Sequence, residues 1–184
     1  MKVFLEELLK NKFLPEIDSA NNLPDAPGAY LICAKSINDL PDKMKALDFK
    51  VVNELPVIYV GIAGRPTSKI KSLRTRDYKN HFYGTARRST LRKSIGVLFG
   101  YEKEFENDKD NNKYKFIDEH EHQLTEWMKS NLIMHFVRID NPMEFEIFLI
   151  NTYEPPLNLK DNKSDANKNF RKELSELRTD KTIN

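Results

Sequence analysis

Three apolar runs have the length and spacing of buried strands. They are AYLICA at residues 29–34, VIYVGI at 57–62 and LIMHFVRI at 132–139. Each is bounded by Pro, Gly or polar residues, so the pattern predicts three β-strands. Alternation places Tyr30 and Ile32 on one face of the first strand. By the same rule, Val57, Tyr59 and Gly61 share one face of the second.

Apolar residues at helical spacing predict several helices. They cover residues 1–13, 42–49, 70–78, 119–130, 142–153 and 170–177, and a further segment whose N-cap is Ser89 or Thr90. The expected fold is therefore α+β, a small three-stranded sheet flanked by helices. We expect a helical extension at 1–22, a domain at 23–160 with insertions near 35–55 and 101–130, and a polar tail with one weak helix at 161–184. The polar, acidic stretch from Tyr101 to Lys115 predicts a surface loop.

Glu146 is hard to explain as a purely structural residue. On a helix over 142–153 it lies among apolar side chains, opposite Glu144. Capping does not require it, because Asn141 at the N-cap and Glu144 in the first turn make a plausible cap. Two explanations stay open at this stage, a buried or half-exposed ion pair and a functional carboxylate.

Composition narrows the class of protein. A chain of 184 residues with 39% hydrophobic and 32% charged residues suits one soluble domain. No apolar run approaches the roughly 20 residues that a bilayer requires. Glu6 and Glu7 interrupt the first apolar segment, which predicts an amphipathic helix and not a signal peptide. We therefore expect a cytoplasmic protein without a membrane partner.

Charge is segregated along the chain although the net charge is only +2. Residues 65–93 contain ten Lys or Arg and one acid, Asp77, whereas residues 102–126 contain nine acids and four lysines. Aromatic residues interrupt the basic segment. This composition suits a nucleic-acid backbone, and a solvated basic helix face is the alternative.

Several short motifs occur in a specific order. Gly28-Ala29-Tyr30 and Tyr59-Val60-Gly61 are followed by Arg76, His81, Glu146 and Asn158. The last two residues begin and end the pattern E-x-x-L-I-x-x-x-x-P-P-L-N. Together these motifs resemble the GIY-YIG nucleases, over about residues 27–158. The resemblance implies a small mixed sheet flanked by helices, with the two motif tyrosines on adjacent strands facing the site.

The chemistry of a nuclease requires these residue types. Phosphodiester hydrolysis needs a deprotonated water, charge compensation at the scissile phosphate and help for the leaving 3′ oxygen. A hard divalent cation bound by carboxylate oxygen and water can supply the last. The resemblance implies that Glu146 holds one Mg²⁺ or Mn²⁺ ion, that Tyr59 is the general base, and that Arg76 clamps the phosphate.

The resemblance also implies supporting roles. Tyr30 would hold water or phosphate, and Asn158 would orient the site through its amide. His81 would transfer a proton or contact a phosphate, with a helix-end histidine as the alternative. Gly61 would let the backbone approach the substrate or the following helix. Further substrate contacts are expected from Arg74, Lys79, Arg87, Arg88 and Arg92.

The chain departs from the family pattern at one position. The family usually places Arg four residues before His, and this chain has Asp77 there. A one-residue insertion would bring Arg76 to the expected place, and Arg74 is the alternative clamp.

The leading prediction is a metal-dependent endonuclease that cuts DNA by attack of a tyrosine-activated water. A non-catalytic nucleic-acid-binding protein on the same fold is the alternative. A third reading is an interaction domain whose basic face meets an acidic partner. Sequence specificity, nicking or double-strand cleavage, and the oligomeric state stay open, although a dimer would suit double-strand cutting.

Overall fold

The computed structural model describes residues 1–67, 69, 71–105 and 113–181. Three long strands form the centre of its main sheet, and two short strands flank them. In chain order they are β1 (Lys12–Phe13), β2 (Gly28–Ala34), β3 (Val51–Val52), β4 (Leu55–Ala63) and, after the hairpin strands described below, β7 (Leu132–Arg138). Every pairing is antiparallel, in the order β1-β7-β2-β4-β3.

The three predicted strands are the three long ones, and they lie side by side. The prediction of a three-stranded sheet is nevertheless wrong, because the sheet has five strands. β1 and β3 have two residues each, and so short a segment produces no periodic pattern in the sequence.

A hairpin occupies part of the segment that was predicted to be a loop. Its strands are β5 (Lys103–Phe105) and β6 (Tyr114–Phe116). Tyr114 and Phe116 are fully buried in the core, so the prediction of a surface loop over 101–115 is wrong at Tyr114. Residues 106–112 of the predicted loop lie outside the described residues.

The part of the chain that the structure describes contains five α-helices beside the sheets. They are α1 (Lys2–Lys10), α2 (Thr90–Leu98), α3 (Asp118–Asn131), α4 (Met143–Tyr153) and α5 (Lys168–Thr179). Each was predicted from helical spacing. The hydroxyl of Ser89 accepts a hydrogen bond from the backbone N–H of Arg92, so Ser89 is the N-cap of α2.

Three local predictions about helices are wrong. Residues 42–49 form only a short 3₁₀ turn at Asp42–Met44. The segment after β4 forms a π-helix at Arg74–Phe82, and Ile70, on which the prediction also relied, lies outside the described residues. The predicted cap of α4 is absent, because the helix begins at Met143 after Pro142 and has no side-chain cap.

Helices cover both faces of the main sheet. α1 and α4 pack on one face through Leu8 and Leu149. The π-helix, α2, α3 and α5 pack on the other, where Tyr30 and Tyr59 lie. An irregularity in the pairing of β2 with β4 turns Val57 away from Tyr59, so the prediction that these two residues share a face is wrong.

The helix predicted near Phe170 is part of α5. Its Phe170 and Leu174 are buried in the core and its axis packs against α2, so this part of the chain is not a free tail. Among the residues that the structure describes, no helix has both the length and the apolar character needed to cross a bilayer.

Candidate active site

A cleft of about 550 Å³ opens along the edge of β4. β3 pairs only with the first residues of β4. Beyond these residues, the segment after α4 covers the edge of β4. There the backbone N–H of Leu157 donates to the carbonyl of Ile58. Side chains from both faces of the sheet can therefore meet at this edge. The polar and small lining residues are Tyr59, Gly61, Arg65, Thr67, Arg76, Thr90, Glu146, Asn158, Lys160, Asp161 and Arg178.

Asn158 joins this segment to β4. Its Oδ1 accepts from the backbone N–H of Val60 at 2.8 Å, and its Nδ2 donates to the carbonyl of Val60 at 2.9 Å. Val60 lies between Tyr59 and Gly61, so the amide fixes the backbone that carries both residues. Without the Asn158 amide, the N–H and the carbonyl of Val60 at this edge would lose these partners.

Gly61 makes room for a neighbouring tyrosine. It lies directly opposite Tyr30 in the register of β2 and β4, and a Cβ at this position would collide with the Tyr30 ring. The close approach at Gly61 is therefore to Tyr30, and not to the following helix as one reading of the sequence proposed.

Tyr30 is fully buried behind the cleft. Its hydroxyl lies 2.7 Å from Nε2 of His81, and Nε of Arg76 donates to the same oxygen at 3.4 Å. Burial raises the pKa of Tyr30 well above its ordinary value, and the Arg76 guanidinium offsets only part of this. Tyr30 is therefore held as a neutral phenol.

His81 is equally buried, and its second ring nitrogen lies 2.6 Å from the hydroxyl of Ser89. Burial lowers the pKa of His81 well below its ordinary value, and Arg76 and Arg92 act in the same direction. The imidazole is therefore neutral, with one nitrogen toward Tyr30 and the other toward the cap of α2.

The π-helix explains the position of Arg76. In a π-helix the backbone bonds link residues i and i+5, so residues five apart lie one turn from each other. Arg76 and His81 are five apart, and both reach the hydroxyl of Tyr30. The wider turn thus supplies the one-residue offset that the motif spacing required. Arg74 donates instead to the carbonyl of Leu23 and does not line the cleft.

Asp77, at the position where the family pattern has Arg, is fully buried. Neither carboxyl oxygen has a hydrogen-bond partner among the described residues, and Oδ1 lies 3.9 Å from Nε2 of His81. Burial raises the pKa of Asp77 well above its ordinary value, and Arg76 offsets part of the effect. The group is therefore stabilised as a neutral acid.

Tyr59 differs from Tyr30 because it lines the cleft, with 7% of its surface exposed. Its hydroxyl lies 3.0 Å from Oγ1 of Thr90, the first residue of α2. The two tyrosine rings are 6.3 Å apart between centroids. The tyrosines are therefore neighbours with different access to solvent.

Glu146 reaches the same cleft from α4 and is 8% exposed. Its carboxylate forms an ion pair with Arg65, which follows the end of β4. Burial raises the pKa of Glu146, while the Arg65 guanidinium opposes the shift. The ion pair is one of the two explanations that the sequence left open, and the position in the cleft is compatible with the other.

The donor set at Glu146 fits a hard divalent cation. One carboxylate faces a polar cleft with room for water, and Mg²⁺ commonly binds through one or two carboxylates, water and a substrate phosphate. Asp161 also lines the cleft and contributes negative charge near Glu146. In the described part of the chain, no group of three or more His, Cys, Asp or Glu side chains could hold a metal.

Most of the predicted substrate contacts lie away from this cleft. Lys79, Arg87 and Arg88 are exposed and line a second cleft of about 430 Å³, together with Lys115. These three residues form a basic surface beside the π-helix, which we call the Lys79–Arg88 surface.

Arg92 does not belong to this surface. It is fully buried, and its guanidinium bonds to the Glu121 carboxylate at 2.6 Å and to the carbonyls of His81 and Glu121. The prediction that Arg92 contacts substrate is corrected by this burial. Its charge stabilises the contact between α2, α3 and the end of the π-helix.

Sequence reasoning missed six of the polar residues that line the cleft, which are Arg65, Thr67, Thr90, Lys160, Asp161 and Arg178. Arg65 and Thr90 stand in segments that were judged basic or capping, and Arg178 lies in the predicted tail. An ion pair was one of the two explanations that the sequence left open for Glu146, but the sequence did not identify Arg65 as the partner.

Comparison with known proteins gives a match to one family model, described as the GIY-YIG catalytic domain, over residues 28–180. This range includes the motif strands, the π-helix, α4 and α5. No curated protein and no solved structure matches the chain.

Proposed function

Because the chain belongs to the GIY-YIG nuclease superfamily, we propose that it is a metal-dependent endonuclease that hydrolyses phosphodiester bonds in DNA. The observation that carries this proposal is the convergence of Tyr59, Arg76 and Glu146 on one cleft. These residues come from a strand, a π-helix and an α-helix, on both sides of the sheet. A protein that only bound DNA would not need them together.

Tyr59 is the proposed general base. It is the motif tyrosine that lines the cleft, whereas the Tyr30 hydroxyl is committed to His81 and Arg76. The Thr90 hydroxyl orients the phenol oxygen, and Tyr59 takes a proton from the attacking water. A phenol is a poor base at neutral pH unless a cation favours its anion, and the Arg76 guanidinium lines the same cleft.

Arg76 is the proposed clamp on the scissile phosphate. The neighbouring phenols, Tyr30 above all, raise the pKa of Arg76, so the guanidinium stays charged in a largely buried position. A fixed guanidinium presents a planar fork to phosphate oxygens. It would stabilise the negative charge that develops on the phosphate during attack.

Glu146 is the proposed ligand of one Mg²⁺ or Mn²⁺ ion. When bound, such an ion would stabilise the leaving 3′ oxygen. Arg65 neutralises the carboxylate in its absence, so metal binding requires Glu146 to exchange the guanidinium for the cation. Arg65 is about two-fifths exposed and can turn toward solvent or a phosphate.

The test is Mg²⁺-dependent nicking of a supercoiled plasmid by wild type and by Glu146→Gln. The substitution keeps the side-chain volume and removes the anionic ligand, so we expect loss of both cleavage and Mn²⁺ binding measured by electron paramagnetic resonance. Glu144→Gln is the control, because Glu144 is exposed on the same helix. Wild-type protein that binds DNA and never cuts it would favour the non-catalytic alternative.

A further inference from the structure

Arg178 brings a third guanidinium to the cleft, from a helix that the motif pattern does not reach. The cleft arginines are Arg65 after β4, Arg76 on the π-helix and Arg178 in the last turn of α5. Arg65 pairs with Glu146, and Arg76 donates to Tyr30. Among the described residues, no carboxylate lies within ion-pair distance of Arg178. A charge placed this way suits an anion that arrives with the substrate.

The start of α5 is held firmly in place. Phe170 and Leu174 are buried against α2 and the core. At the same end, the Arg171 guanidinium donates to the carbonyls of Ala166 and Ser164 in the preceding turn. The helix therefore has a fixed position relative to α2, which also carries the Tyr59 partner Thr90.

The hairpin fixes the other end of α5. Nζ of Lys103 on β5 donates to the carbonyls of Leu177 and Asp180, at 2.6 and 2.5 Å. These carbonyls flank Arg178 in the chain, at the helix end where a cation is favoured. Tyr114 on β6 lies under the Lys103 ammonium, 5.3 Å from it to the ring centroid. The hairpin thus holds the backbone that carries Arg178.

Arg178 is placed beside the proposed base. It is half-buried, lines the cleft with Tyr59, and interacts electrostatically with both Tyr59 and Tyr114. Arg76 acts on Tyr59 from the π-helix side. A phosphodiester held by Arg76 at Tyr59 therefore has a second guanidinium available on the α5 side.

We propose that Arg178 binds a phosphate of the DNA strand next to the scissile phosphate, and that α5 and the β5–β6 hairpin serve to place it. The proposal rests on the proposed function, since it assigns a second phosphate to the same cleft. Arginine binds phosphate through two parallel N–H donors, which orients the strand as well as attracting it. Arg178 is then a substrate-binding residue that holds the strand in the cleft beside Tyr59.

The experiment compares Arg178→Gln and Arg178→Lys with wild type. Binding of a short fluorescein-labelled DNA duplex is measured without metal at several salt concentrations, and single-turnover cleavage is measured at saturating DNA with Mg²⁺. Arg178→Gln should weaken binding roughly ten- to hundredfold and lower the log–log salt slope by about 0.9. Arg178→Lys should restore most of the slope, and the saturated cleavage rate should stay within about threefold of wild type.

Lys172→Gln is the matched control, because it removes one positive charge from an exposed position on the same helix. Thermal unfolding of each variant checks that α5 is still packed. Unchanged binding and salt slope for Arg178→Gln would overturn the proposal, and so would normal binding with a large loss of the saturated rate, which would place Arg178 at the chemical step. If wild type binds DNA without cutting it, the proposed function fails while the binding measurements still test the phosphate contact.

Discussion

The two motif tyrosines show how position within one sheet assigns different chemistry to the same side chain. Tyr30 and Tyr59 are on adjacent strands and face the same layer. Tyr30 has no access to solvent and two polar partners, whereas Tyr59 reaches the cleft and has the Thr90 hydroxyl beside it. The first therefore suits a structural contact and the second suits proton transfer.

Removing each hydroxyl should separate these roles. Tyr59→Phe should leave stability nearly unchanged and reduce single-turnover cleavage by roughly 10² or more, because the proton acceptor is lost. Tyr30→Phe should lower the free energy of unfolding by about 1–3 kcal/mol, because His81 loses a buried partner. Urea unfolding and quench-flow cleavage measure the two effects. An active Tyr59→Phe enzyme beside an inactive, well-folded Tyr30→Phe enzyme would reverse the assignment.

Sequence reasoning brought together motif residues that line one cleft, but it could not assign the charges around them. Tyr59, Arg76 and Glu146 follow from motif order, and they do line one cleft. Arg65 pairs with a glutamate 81 residues away, and Arg92 with one 29 residues away. Local spacing contains no information on such pairs. A run of arginines therefore looks uniform in the sequence although one is buried, one is in an ion pair and others are exposed.

Among the helices and strands, the length of the periodic apolar pattern decided which elements could be predicted from the sequence. The seven-residue and nine-residue strands and the first four of the described α-helices gave clear patterns, whereas α5 gave a weak one. The two-residue edge strands gave none, and the hairpin was hidden because its polar strands flank an acidic segment. The π-helix shares its apolar spacing with an α-helix over so short a stretch that the sequence does not distinguish them, whereas backbone bonds such as the one from the N–H of Tyr83 to the carbonyl of Tyr78 do.

The π-helix also places Asp77 where a carboxylate is costly, and this predicts a specific pH dependence of stability. The pKa of Asp77 is raised in the folded protein, so the folded state keeps a proton that the unfolded state releases above about pH 4. Its contribution to stability is therefore fully present below that pH and is lost as pH rises through the folded pKa. Arg76 is the charged neighbour that limits the loss.

Asp77→Asn should remove this dependence. We expect the variant to unfold with a free energy close to wild type near pH 4 and more than about 1 kcal/mol higher near pH 8, since no buried carboxylate remains to be ionised. His81, whose pKa is lowered, contributes with the opposite sign and is present in both proteins. Chemical denaturation across this pH range measures the difference in unfolding free energy between the variant and wild type. Asp140→Asn, at an exposed site, is the control. A difference that does not grow with pH would mean that Asp77 is not a buried acid.

The net charge of +2 conceals two different groups of basic residues in the whole molecule. The cleft arginines are placed to contact particular groups of the site, whereas the Lys79–Arg88 surface presents exposed cations outside the cleft. The acidic segment that follows in the sequence contributes Glu121, which neutralises Arg92 inside the fold. Part of the apparent basic segment is thus structural, and only the residues that reach the surface or the cleft are available to a nucleic-acid backbone.

The Lys79–Arg88 surface should therefore govern affinity for DNA of any sequence. Each phosphate contact contributes about 0.9 to the log–log dependence of binding on salt, so Lys79→Glu with Arg88→Glu should flatten the slope by up to about two units. The saturated cleavage rate should change little, because neither residue lines the Tyr59 cleft. Lys2→Glu with Lys10→Glu changes the net charge equally on α1, across the sheet, and should leave the slope nearly unchanged. An equal flattening of the salt slope in both double variants would mean that net charge alone attracts DNA. An unchanged slope for Lys79→Glu with Arg88→Glu would place the duplex on another face.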